Sequence, residues 1–162
     1  MRMGVIEEIR LRINKSRWER WRAKQNKELE KSYCYCTPPP GACGECNAIA
    51  GIGRPPETAM AAVTFSGELI GDVFHGRVEG EAVGTAEASA LVTVTATKGL
   101  VIPHCKRGRN CTGNWCCYLF WGRWTIYDEF TVINTKKGAC YTCILRVGRG
   151  FDIDEDSCTI CC

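Results

Sequence analysis

Thirteen cysteines are the residues of this chain best able to do chemistry, and their spacing admits two kinds. Cys140/Cys143 and Cys158/Cys161 form two CxxC pairs with fourteen residues between them, followed at once by Cys162. Paired CxxC units at such a distance can hold a zinc ion through four thiolates. The alternative is a set of disulfides. A zinc knuckle needs a tight turn so that both sulfurs face one ion, and no glycine follows Cys143 to permit it. Cys140 and Cys143 instead sit in "ACYTCILRV", a strand-like run in which positions i and i+3 face opposite sides. If Cys143 faces a core beside Tyr141 and Leu145, Cys140 faces away from it.

"CGEC" at 43–46 is the more knuckle-like motif, because Gly44 allows the bend. With Cys34 and Cys36 it makes a candidate metal tetrad of Cys34, Cys36, Cys43 and Cys46, for zinc before an iron–sulfur cluster. The remaining nine, Cys105, Cys111, Cys116, Cys117, Cys140, Cys143, Cys158, Cys161 and Cys162, are the disulfide candidates. Adjacent cysteines such as Cys116–Cys117 and Cys161–Cys162 point apart and commonly send bridges to two different places. The odd total leaves at least one free thiol or one bridge to another chain.

Other chemistry is thinly represented. Asp152, Asp154 and Asp156 have EF-hand-like offsets, but the glycine at the sixth place and the twelfth-position carboxylate are lacking, so a solvated strand face is expected. His75 and His104 have no serine–acid partner recognisable by spacing. "GIGRPPE" (51–57) lacks the helix a phosphate-binding loop requires. No catalytic constellation and no required cofactor follow from the sequence.

The elements that must position these thiols divide the chain in three. Residues 1–32 carry ten Lys/Arg against five Glu, whereas the other residues carry eleven Lys/Arg against thirteen Asp/Glu. The segment has no proline and many helix formers, and predicts a basic N-terminal helix acting as a docking arm. Ile6, Ile9 and Ile13 share one face, and Trp18 and Trp21 with Arg17 form an aromatic-basic cluster. Packing on a neighbouring subunit is the expected use; Glu7, Glu8, Glu19, Glu28 and Glu30 weigh against nucleic acid or a membrane surface.

Residues 33–57 hold five of the six prolines and four cysteines, and predict a stapled irregular loop. From 58 to 162 the pattern is β: an antiparallel β-domain, sandwich or meander, ending in a cysteine cluster. Short strands are expected around Gly67, Gly71, Gly76, Gly80 and Gly84. "RWTIYDEFTVI" alternates cleanly, with Trp124, Ile126, Phe130 and Val132 on one side around Asp128. "NTKKG" then predicts a hairpin to the strand 139–147. Trp115, Tyr118, Phe120, Trp121 and Trp124 fall within ten residues, and alternation cannot bury all of them on one face.

No secretory signal and no membrane span are recognisable. That conflicts with a cysteine content typical of oxidising compartments. A protein made in cytoplasm and later exposed, as in a virion or another extracellular particle, resolves the conflict. The expected role is a non-enzymatic structural or interaction subunit of a large assembly, most specifically a disulfide-stabilised phage-like virion component. Its partners are neighbouring protein subunits, and it is expected to be oligomeric. The alternative is an intracellular zinc or iron–sulfur adaptor using the basic helix.

Overall fold

The structure is a computed structural model that describes residues 41–162. The expected helix with Ile6, Ile9, Ile13, Arg17, Trp18 and Trp21, together with Cys34 and Cys36, lies outside the described residues.

Eight strands follow in order: β1 (Ala42–Arg54), β2 (Glu57–Ile70), β3 (Val73–Ala96), β4 (Leu100–His104), β5 (Arg109–Thr112), β6 (Trp115–Ile133), β7 (Cys140–Arg149) and β8 (Asp152–Cys161). Every pairing is antiparallel. Two-residue turns close four of the connections: Pro55–Pro56, Gly71–Asp72, Gly113–Asn114 and Gly150–Phe151. Gly71, Gly113 and Gly150 have positive φ, which a tight hairpin turn needs and a side chain disfavours.

Period-2 alternation fixes which side faces in. Cys46, Ala48, Ala50 and Ile52 of β1 are buried, as are Ala59, Ala61, Val63 and Phe65 of β2 and Tyr141, Cys143, Leu145 and Val147 of β7. All contribute to one core. Phe74 stacks on Tyr141 with ring centroids 3.8 Å apart and meets Phe65 edge-on. Gly67 and Gly76 are register partners on neighbouring strands, and a Cβ on either would press into the Phe74 ring. Two of the regularly spaced glycines thus make room for the Phe74 ring in the core.

The sheet folds over because β3 and β6 each serve two groups of strands. β6 runs along one edge of β3 for nearly its whole length. The other edge of β3 takes β2 over Val73–Gly84 and β7 over Ser89–Ala96. The register slips between Gly84 and Ala88, opposite Gly122, whose φ of 76° only glycine adopts readily. Strands that bend at a bulge and pass between two layers make such corners.

Three expectations are corrected. Residues 42–54 are strand β1 and not irregular loop, so the β-domain begins before residue 58. Its alternation is carried by alanine and glycine, which give little hydrophobic contrast. The glycine-spaced region forms two long strands, β2 and β3, of 14 and 24 residues. Finally, β6 and β7 do not form a hairpin. Both edges of the second half of β6 are occupied, one by β3 and the other by β4, so the chain crosses to the far edge of β3.

Candidate docking surface

Among the described residues ten cysteines come together in five pairs: Cys43–Cys162, Cys46–Cys158, Cys105–Cys116, Cys111–Cys117 and Cys140–Cys161. As alternation requires, Cys116 and Cys117 bridge to different places, and so do Cys161 and Cys162. Cys143 is buried and free. It lies on the core side with Tyr141 and Leu145, while Cys140 is only partly covered. The candidate tetrad is not assembled as such, since Cys43 and Cys46 are each engaged with a C-terminal cysteine. Cys143, grouped with the disulfide candidates, has no bridge.

Two of these bridges lie on a seam between β1 and β8, and three aspartates continue it. The Ile49 amide donates to Asp156 Oδ2 at 2.9 Å, the Gly51 amide to Asp154 Oδ2 at 2.9 Å, and the Gly53 amide to Asp152 Oδ2 at 3.1 Å. Every second residue of β1 is matched by every second residue of β8. A row of side chains, not a backbone ladder, therefore closes this margin of the sheet. The D-x-D-x-D spacing was visible in the sequence. What it lacked was the partner, because carboxylates on one strand face read as solvated until another edge is known to abut them.

A second polar cluster sits inside. Asp128 is fully buried, accepts from the Tyr118 hydroxyl at 2.5 Å, and accepts from the Lys106 and Gly108 amides at 3.0 and 3.2 Å. Tyr118 and Asp128 belong to one strand. Ten residues of straight strand would span about 33 Å, so their contact measures how sharply β6 bends at Gly122. Burial pushes the Asp128 carboxyl above the usual range, outweighing the hydrogen bonds that pull it down. Burial and the Asp128 bond likewise raise the Tyr118 hydroxyl. Cys105, Cys116 and Asp128 offer ligand atoms within 4.8 Å of one another, but the two sulfurs are bonded to each other. The cluster anchors the loop between β4 and β5 beneath its bridge.

Before the bend the outer side of β6 carries an apolar ridge: Leu119 is 62% exposed and Trp121 74%, whereas Tyr118 and Phe120 are buried. Trp124 is 43% exposed but stands opposite the buried Ala82, on the other side of the strand. The aromatic run is thus split between core and surface. Beside the ridge lies a groove of about 440 Å³ lined by Leu91, Leu119, Ile153, Arg146 and Arg149. Arg146 is held by Glu155 through Nε at 2.9 Å and Nη2 at 2.7 Å, with its guanidinium over Trp115 at 4.9 Å. Arg149 Nε donates to the Glu87 carbonyl at 2.9 Å. The Leu119 end of the ridge thus meets a groove whose two arginines are already held in place. Among the described residues no helix is long and apolar enough to cross a membrane.

No protein-family model, curated protein or solved structure matches the chain.

Proposed function

We propose that the protein is a non-enzymatic structural subunit that docks onto neighbouring protein subunits of a larger assembly through the ridge Leu119 and Trp121 and the groove beside Leu119. The carrying observation is that these large apolar side chains are exposed on a body whose described residues form one core and are crosslinked five times. Tryptophan and arginine are residue types favoured at interface hot spots. Five bridges are compatible with an oxidising final location. They also favour a particle component that has to resist unfolding without repair. A phage-like virion component is the finer form of this reading, with the basic N-terminal segment as a second docking element.

The test is the oligomeric state of the full chain by light scattering and chemical crosslinking, for the native protein and for Leu119→Ser/Trp121→Ser. Assembly by the native chain and its loss in a variant of unchanged melting temperature support the proposal. A native chain that stays monomeric at high concentration overturns it, and so does a variant that assembles equally well.

A further inference from the structure

Cys143 stands directly opposite Cys158 in the β7–β8 register, and Cys158 is bridged to Cys46 across the seam. Side chains of directly opposed residues project from the same side of a sheet, with Cα atoms roughly 4.5–5.5 Å apart. That separation lies inside the range a disulfide spans, roughly 4.4–6.8 Å. All three sulfurs belong to the same core region, with Cys46 and Cys143 buried and Cys158 packed against them. One free thiol therefore adjoins one disulfide, and either of two bridges fits the backbone.

We infer that Cys143, Cys158 and Cys46 form an internal thiol–disulfide exchange site that swaps the seam bridge Cys46–Cys158 for a within-hairpin bridge Cys143–Cys158. The Cys143 thiolate attacks Cys158 Sγ, the Cys143–Cys158 bond forms as the Cys46–Cys158 bond breaks, and Cys46 leaves as a thiolate that takes up the proton Cys143 gave away. One thiol and one disulfide stand on each side, so no outside oxidant or reductant is consumed. The swap removes one of two covalent ties between β1 and β8 and leaves Cys43–Cys162 and the aspartate row holding the rest. This inference is independent of whether the apolar ridge docks.

Burial, with a smaller contribution from Asp156, pushes the Cys143 thiol up to about 12, so the site is quiet at neutral pH. Its register neighbours, Val94 on β3 and Cys158 on β8, carry no charge.

The test incubates the full chain with iodoacetamide at pH 7 and pH 9, followed by non-reducing digestion and peptide mass mapping. The expected product carries the alkyl group on Cys46 and a Cys143–Cys158 link, forming about a hundredfold faster at pH 9, in proportion to thiolate. It should be absent from Cys143→Ser. A second variant, Cys46→Ala, should yield the Cys143–Cys158 bridge on oxidation by dioxygen. Alkylation confined to Cys143, Cys46 labelling that persists in Cys143→Ser, or a Cys46→Ala chain that keeps both thiols free overturns the inference.

Discussion

The two seam bridges should protect each other, and the size of that effect follows from connectivity alone. Cys43–Cys162 and Cys46–Cys158 close nearly the same long loop, with sequence separations of 119 and 112. In the chain-entropy description the first to form removes about 4.8 kcal/mol of unfolded-state freedom. The second then closes only a ring of about seven residues, and its share is about 2.4 kcal/mol. The other bridges shorten the long loop, but the dependence is logarithmic and the values hardly move. Replacing either pair by alanine should therefore cost about 2.4 kcal/mol, because the survivor still ties the ends. Replacing all four cysteines should cost about 7 kcal/mol, well beyond twice the single-pair loss. Guanidinium unfolding with linear extrapolation measures all three losses, provided slopes are fitted for each chain, since freed ends also raise the slope. Equal, additive losses would refute the reasoning, because they would mean that the two bridges constrain separate parts of the unfolded chain.

Further outcomes follow from the polar clusters and the tight backbone contacts. Asp154→Ala strands the Gly51 amide and should lower unfolding free energy by about 1–2 kcal/mol, with Asp154→Asn losing less because it keeps an acceptor; denaturant midpoints decide. Asp128 titrates higher when folded than its ordinary 3.8, so its contribution is full below that value and is lost as pH rises through the folded value. Native stability relative to Asp128→Asn should accordingly grow as pH falls through this window, and a thermal-melt series that runs the other way would contradict the assignment. Gly80→Ala places a methyl group against the Ala62 carbonyl of the neighbouring strand and should cost at least about 2 kcal/mol, read by thermal melting.

What was legible in the sequence was whatever depends on local alternation. Ile126, Phe130 and Val132 do face inward with Asp128 among them, and the opposed directions of Cys140 and Cys143 follow from strand geometry alone. The divergence of adjacent cysteines was equally readable. Pairings that depend on distant competition were not. "NTKKG" carries turn chemistry, yet β4 had already claimed the edge a hairpin would have used, and "LVIPH" is too short to announce itself. β1 was hidden by its small residues. "CGEC" suggested a metal knuckle because Gly44 permits a bend, and its φ of 91° does depart from regular strand. The sulfurs were nevertheless drawn to the C-terminal strand, whose approach no local pattern encodes. The aspartate row failed to declare its role for the same reason.

That row has a bearing on how copies of this protein can meet. An uncovered strand margin is an open invitation to pair with any passing chain, and aggregation starts there. On β1 the outward amides of Ile49, Gly51 and Gly53 are already occupied by carboxylates, so no foreign strand can add to that stretch without first displacing three anions. On the opposite flank, β4 is five residues long and contains Pro103, a poor template for extension. With both of these routes discouraged, association is steered away from backbone zippering and toward contacts made by side chains, where shape can select the correct neighbour.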